Sequence, residues 1–104
     1  MAIVHRRTFY AKVGQAAPLA QHFQEADEQM KGYGIDWETR IFTDYYSGRS
    51  DRVVVEWVLD DLGDMDAELG RIMEIPEAAA YFEAWMSKMN DMIHYADGEN
   101  WTVI

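Results

Sequence analysis

Residues 52–59 carry the most informative hydrophobic pattern in the chain, because this predicted strand is apolar on both faces. Four apolar side chains share one face: Val53, Val55, Trp57 and Leu59. The other face carries Val54 and Val58 and is interrupted only by Glu56. A strand with one face in water carries a polar residue at every second position. The pattern therefore predicts a sheet that is covered on both faces.

The first two elements are predicted to be a strand and a helix. Residues 3–13 alternate well enough for a strand, and Pro18 then suits the first turn of a helix, where its missing N–H needs no partner. Apolar residues follow at helical spacing: Leu19, Phe23, Ala26 and Met30. Gly32 and Gly34 are typical of a helix end.

A hairpin is predicted next. Residues 36–46 are rich in aromatic and β-branched side chains, which favours a second strand. The polar residues 47–51 include a glycine and predict a hairpin loop that leads into residues 52–59. Asp60 or Asp61 is expected to cap the following helix.

The second helical region is predicted to consist of two pieces, because Ile75-Pro76 interrupts its apolar stripe. The first stripe comprises Met65, Leu69, Ile72 and Met73. The second comprises Ala78, Phe82, Trp85, Met86, Met89 and Ile93. Asp97-Gly98 is expected to turn the chain into a short last strand at residues 101–104.

The order βαββαβ predicts a ferredoxin-like α+β fold, in which both helical regions cover one face of an antiparallel four-stranded sheet. Residues 1–104 form one domain. The uncovered face would measure about 300–400 Å², and an apolar patch of that size usually marks an interface. A second copy of the chain is the simplest cover, which gives a homodimer that forms a dimeric α+β barrel.

The composition excludes several classes of function. Nineteen acidic residues against nine basic residues give a formal charge of -10, so neither nucleic acid nor an anionic membrane surface is an expected partner. Without cysteine, disulfides, thiolate metal sites and a cysteine nucleophile are excluded. The first residues lack the apolar core of a signal peptide, and no run is long enough to span a membrane. We expect a soluble, cytoplasmic protein.

Residues 7–14, which read RTFYAKVG, resemble the opening of NIPSNAP-type domains, where the first strand tends to read Arg-Thr-Tyr-x-Leu-x-Pro-Gly. The chain departs from this pattern at Phe9 and at Val13, where the proline is missing. Residues 55–57 with 60–62 resemble the third strand and acidic helix cap of that family. The helix beginning at residues 76–77, with its aromatic positions Tyr81, Phe82 and Trp85, resembles the closing helix.

This resemblance places the chain near the dimeric α+β barrels related to antibiotic biosynthesis monooxygenases. It implies a dimer and a pocket in each subunit between sheet and helices, and it implies little about chemistry. Haem-degrading relatives use an asparagine on the first strand, a tryptophan on the third strand and a histidine on the last helix. Trp57 could match the tryptophan. Arg7 stands at the asparagine's place, and Ala80, Tyr81 and Phe82 stand near the histidine's place. No cofactor is therefore expected, and the histidine spacing predicts no metal site.

The candidate catalytic residues are Arg7 and His22. Arg7 could hold a carboxylate or phenolate through two parallel hydrogen bonds, or it could pair with Glu56 or Glu38. His22 is the best candidate for handling a proton, although a lone histidine on a helix is more often structural. Four residues are candidate ligand contacts, with core packing as the alternative for the large aromatic side chains: Trp57, Trp85, Phe9 and His5.

Three functions are compatible with this sequence. The first is a barrel that binds a small hydrophobic or aromatic molecule without chemistry of its own. The second is a cofactor-independent monooxygenase or isomerase that acts on an aromatic or polyketide-like substrate, whose own electron-rich ring makes an elaborate catalytic motif unnecessary. The third is a protein-interaction module.

Overall fold

The computed structural model describes residues 2–44 and 51–104. Seven elements follow one another along these residues: β1 (Ile3–Ala11), α1 (Ala16–Gly32), β2 (Glu38–Thr43), β3 (Arg52–Leu59), α2 (Leu62–Met73), α3 (Pro76–Met92) and β4 (Ile93–Thr102). The predicted order βαββαβ is confirmed, with the second helical region divided into α2 and α3.

The four strands form one antiparallel sheet in the order β2-β3-β1-β4. Phe9 pairs with Val53 and His5 pairs with Trp57, so the more apolar faces of β1 and β3 lie on the same side of the sheet. The helices cover this side, which we call the helix side. The ferredoxin-like α+β fold predicted from the sequence is confirmed.

Two hydrophobic clusters hold the helices on the sheet. The larger cluster is made by β1, β3, α1 and α3, and its buried members are Phe9, Ala11, Leu19, Phe23, Val53, Val55 and Met89. The smaller cluster, at the other end of α1, is made by Ile35, Ile72 and Ala78. These two separate clusters anchor the helices on the sheet. Side chains therefore need not fill the space between the two clusters.

Local chemistry explains where the helices begin and end. Gly34, just after α1, has φ of 89°, a left-handed conformation that glycine adopts without steric cost. The Asp61 side chain accepts a hydrogen bond of 2.7 Å from the Gly63 backbone N–H and caps α2. Pro76 lies at the start of α3, which confirms the predicted break.

Several predicted boundaries differ from the structure. β1 ends at Ala11 rather than at residue 13, and β2 ends at Thr43. Residues 45 and 46 of the predicted second strand, and residues 47–50 of the predicted loop, lie outside the described residues. α1 begins two residues before Pro18, at Ala16.

The prediction for the last strand is wrong. β4 spans ten residues, Ile93–Thr102, and follows α3 directly. Asp97 and Gly98 do not turn the chain, because they pair with Thr8 and Arg7 of β1. The backbone hydrogen bonds offered by β1 extend the strand through residues whose types favour a turn.

The side of the sheet without helices, here called the open face, is less apolar than the sequence predicted. A row of alternating charges crosses it from β2 to β4: Arg40, Glu56, Arg6 and Glu99. Arg6 Nε donates to Glu56 Oε2 over 2.7 Å. Apolar side chains flank this row: Val4, Phe42, Val54, Val58 and Trp101. The open face is therefore amphipathic, with an ion pair at its centre.

Candidate ligand-binding cavity

A cavity of about 1010 Å³ lies between the helix side of the sheet and the three helices. It is partly open to solvent. β1, β2, β3 and β4 contribute its floor, and α1, α2 and α3 contribute its walls. The cavity occupies the space between the two hydrophobic clusters, which hold the helices at either end of it.

The walls are mainly apolar and flexible. Six large apolar side chains from the helices are among the lining residues: Met30, Met65, Leu69, Met73, Phe82 and Met86. Met73 and Met86 line the cavity and are each 49% exposed, so they do not fill the core. Methionine side chains adapt to ligands of different shape, because they are unbranched and polarizable.

Arg7 lies on the floor of the cavity and is exposed. Its guanidinium carbon is 5.7 Å from the centre of the Phe9 ring, a cation–π contact. Within residues 2–44 and 51–104, no carboxylate forms an ion pair with Arg7. The two partners considered from the sequence are engaged elsewhere, Glu56 with Arg6 and Glu38 with Arg40. These contacts favour the anion-holding interpretation of Arg7.

His5 lies two residues before Arg7 on the same face of β1 and also lines the cavity. Its Nδ1 is 2.6 Å from Oδ1 of Asn100 on β4. Its ring stacks on Trp57, with 5.7 Å between ring centres and 24° between ring planes. Cross-strand pairing explains the arrangement, since His5 is paired with Trp57 on one side and with Asn100 on the other.

His22 is placed elsewhere, in a contact between α1 and α3. It is 6% exposed and is not among the residues that line the cavity. Its Nε2 is 2.9 Å from the Trp85 carbonyl oxygen, and Trp85 Nε1–H donates to the His22 carbonyl over 2.9 Å. The two rings stack at 4.5 Å with 8° between their planes. A role for His22 in proton transfer remains a prediction, and these contacts favour a structural role.

The structure thus brings together five of the six candidate residues named from the sequence: Arg7, His5, Phe9, Trp57 and Trp85. Trp85 also contacts Phe23 edge to face, at 5.0 Å between ring centres, so it serves the core and the cavity wall together. Asn100 was not predicted as a partner of His5, because Asp97-Gly98 has the composition of a turn just before it.

Charged and polar side chains are sparse around the cavity. Asp27 is one of them, and its Oδ2 accepts a hydrogen bond of 2.6 Å from Lys31 Nζ. Glu83, Ser87 and Asn90 lie along α3. Within the described part of the chain, no group of three or more His, Cys, Asp or Glu side chains could hold a metal ion. No helix described by the structure is long and apolar enough to cross a membrane.

The sequence matches no family model and no curated protein. Solved structures do match the fold. An uncharacterized NIPSNAP domain protein from Burkholderia xenovorans is 17% identical with a TM-score of 0.74, over 98% of this chain and 94% of that one. A NIPSNAP family protein with unknown function from Agrobacterium tumefaciens is 19% identical with a TM-score of 0.72, over 96% and 86%.

A third structure is SnoaB from Streptomyces nogalater, described as a cofactor-independent oxygenase and solved as a mutant. It is 9% identical with a TM-score of 0.69, over 98% of this chain and 92% of that one. At these identities the likeness shows the fold and no more. The resemblance inferred from residues 7–14 is confirmed at that level: the chain has the fold of NIPSNAP-domain proteins, shared with a cofactor-independent oxygenase.

Proposed function

We propose that the protein is a homodimer that binds one small hydrophobic or aromatic molecule in the cavity of each subunit, with an acidic group of that molecule facing Arg7. The observation that carries the proposal is a cavity of about 1010 Å³ whose floor holds a guanidinium without a carboxylate partner among the described residues.

The size and lining of the cavity support this proposal. Ligand sites are commonly concave spaces of about 300–1,000 Å³ with mostly apolar walls and a few polar groups that fix orientation. A guanidinium that has no ion-paired carboxylate among the described residues, beside apolar walls, suits a ligand with an apolar body and one negative charge. An interaction module would be better supported by a filled interior, and the cavity therefore weighs against that alternative.

The open face supports the homodimer. Val4, Val54 and Val58 lie beside the central Arg6–Glu56 ion pair, and Phe42 and Trp101 extend the apolar surface towards the sheet edges. A second copy can bury the apolar side chains at little electrostatic cost only if the ion pair stays intact, because an unpaired buried charge is strongly destabilising.

Two fluorescent dyes test the ligand site. 1-Anilinonaphthalene-8-sulfonate carries a sulfonate, whereas N-phenyl-1-naphthylamine has the same aromatic body without charge. We expect both to bind the wild-type protein. Ser87→Trp, which places an indole in the cavity, should weaken both dyes, whereas Lys88→Trp, on the neighbouring residue outside the cavity lining, should weaken neither.

Arg7→Gln distinguishes the contribution of the Arg7 charge to binding from the contribution of the apolar cavity. The loss of a hydrogen-bonded charge contact of about 1.5–3 kcal/mol corresponds to about 10–150-fold weaker binding of the sulfonate dye. The uncharged dye should bind Arg7→Gln as it binds the wild type. Equal affinity of Arg7→Gln and wild type for the sulfonate dye would remove Arg7 from the site. If Ser87→Trp binds both dyes with wild-type affinity, the cavity is not the ligand site.

Light scattering tests the assembly. The wild type should have the mass of two chains at micromolar concentration. Val54→Glu places a charge among the apolar residues of the open face and should give a single-chain mass, whereas Val13→Glu, at a residue that is 90% exposed and outside the sheet, should remain a dimer. A folded wild-type monomer, or a dimer that tolerates Val54→Glu, would contradict the assembly.

The second candidate function is a cofactor-independent monooxygenase or isomerase. The fold shared with SnoaB, a cofactor-independent oxygenase, and the polar groups His5 and Arg7 on the cavity floor favour it. The oxygenase form is tested with anthrone, an electron-rich aromatic ketone, by following oxygen consumption. Oxygen uptake above that of buffer, lost in Ser87→Trp and kept in Lys88→Trp, is the expected result for an oxygenase.

A further inference from the structure

We infer that His5, held by Asn100 and stacked on Trp57, is the base of a proton-transfer reaction on a carbonyl compound whose oxygen faces Arg7. The reaction class is enolisation, the step by which an isomerase moves a proton beside a carbonyl group. This inference rests on the proposed ligand-binding function of the same cavity and names the substrate class and the residue that acts on it.

The Asn100 contact determines which ring nitrogen of His5 is available. Asn100 Oδ1 accepts hydrogen bonds only, so the 2.6 Å contact requires the proton on Nδ1, and we assign the Nδ1–H tautomer to the neutral ring. Nε2 then carries the lone pair. Among the described residues Nε2 has no hydrogen-bond partner, and the residue lines the cavity. An oriented imidazole with a free lone pair is the arrangement that general-base catalysis requires.

Trp57 and Asn100 hold the His5 ring from two sides. The stacked indole fixes the plane of the ring at 24° to its own plane, and the hydrogen bond to Asn100 fixes rotation within that plane. When Nε2 takes a proton, Asn100 continues to accept from Nδ1–H and stabilises the cation. Asn100 is therefore a positioning residue, which acts through His5.

Arg7 provides the second requirement, a positive group where negative charge develops. It lies two residues from His5 on the same face of β1, about 7 Å further along the strand. Its cross-strand neighbour on β4 is Gly98, and a Cβ built on Gly98 meets nothing within 4 Å. No side chain of residue 98 therefore covers Arg7 from the β4 side.

The reaction balances without a co-reactant. His5 Nε2 takes a proton from the carbon next to the carbonyl, and the electrons of that C–H bond form a carbon–carbon double bond. The carbonyl π electrons move to oxygen, whose negative charge faces Arg7. His5 then returns the proton to the same carbon or to a conjugated one, which completes exchange or isomerisation and restores the neutral imidazole.

Two small aromatic probes test the inference. 2-Tetralone is an apolar ketone with an acidic C–H next to its carbonyl, and its exchange in D₂O is followed by proton NMR. 2-Naphthol is the flat, stable analogue of its enol, and its fluorescence reports binding. We expect the wild type to bind 2-naphthol and to accelerate exchange at C1 of 2-tetralone above the rate in buffer.

Variants separate the roles of the residues. His5→Gln should lower the protein-dependent exchange about 10²–10⁴-fold, the usual contribution of a general base, while it still binds 2-naphthol. Asn100→Ala should lower exchange less, and the nitrogen chemical shifts of His5 should show loss of the Nδ1–H tautomer that the wild type displays. His94→Gln, at an exposed histidine outside the cavity lining, is the matched control and should exchange like the wild type.

The outcomes distinguish this inference from the proposed function. Binding of 2-naphthol without accelerated exchange, or full exchange activity in a folded His5→Gln protein, would overturn the assignment of His5 and leave the ligand site intact. A wild-type His5 with its proton on Nε2 would overturn the orientation by Asn100. If the wild type binds neither 2-naphthol nor the two naphthalene dyes, the ligand site is overturned and this inference with it.

Discussion

Replacement of His22 by alanine separates a structural role from a catalytic one. The change removes the hydrogen bond from the ring to the Trp85 carbonyl, about 1 kcal/mol, and the stacked ring pair, about 0.5–1.5 kcal/mol. It also leaves a gap at a side chain that is only 6% exposed, to which we assign about 1 kcal/mol. Together these terms predict a loss of about 3 kcal/mol in the free energy of unfolding.

Such a loss is measurable by thermal unfolding. For a domain of this size about 1 kcal/mol shifts Tm by 4–8 °C, so His22→Ala should lower Tm by about 12–24 °C. All variants are compared at one protein concentration, because the proposed dimer would make Tm depend on concentration. His94→Ala removes an exposed histidine and should change Tm by less than about 4 °C.

A double-mutant cycle adds specificity to this test. Trp85→Phe removes the indole N–H that donates to the His22 carbonyl and should cost about 1 kcal/mol. The double variant should be less destabilised than the sum of the single changes, because each removes part of the same contact. A His22→Ala protein with wild-type Tm and impaired exchange of 2-tetralone would refute the structural reading and restore His22 as the proton-handling residue.

Three further predictions concern titration, capping and assembly. Burial first, and then two carboxylates of α1, raise the pKa of Tyr81 above its ordinary value of 10.0, so its contribution to stability is fully present below pH 10 and is lost as pH rises through the folded-state pKa. Titration followed by absorbance at 295 nm should show a tyrosine step above pH 10 that Tyr81→Phe lacks. Asp61→Ala leaves the Gly63 N–H without its acceptor and should cost about 1 kcal/mol, with faster amide exchange in α2 if the cap is as assigned. Arg6→Glu should weaken the proposed dimer more than 100-fold, about 3–5 kcal/mol, which light scattering should show as a single-chain mass at micromolar concentration.

The strand patterns show why part of the fold could be predicted from the sequence. β3 was predicted with its observed bounds, since the largely apolar run at residues 52–59 is flanked by polar residues. β4 was not, because it follows α3 without an intervening turn and is mostly exposed. An edge strand that pairs with β1 through its backbone does not need apolar side chains at every second position, so the sequence contains little signal of it.

The cavity shows the corresponding limit for the site. Met65, Leu69 and Met73 have the spacing of a helix stripe that packs into a core, so the sequence predicts them to be core residues. In the structure they line the cavity. Whether such a stripe meets other side chains or an empty space depends on the distance between helix and sheet. That distance is determined by the two separate clusters, which no local pattern reveals.

The division of chemistry between sheet and helices follows from how each element is held. His5, Arg7 and Trp57 project from the two central strands, whose register is determined by pairing on both sides. α2 is held mainly through Ile72 and presents adaptable methionines to the same cavity. Catalytic groups must be positioned to within about 0.5 Å, and side chains on the central strands can be held with that precision. Walls that only enclose an apolar body can move. Substitutions on the floor should therefore alter rate and charge preference, whereas substitutions in α2 should alter which apolar shapes are accepted.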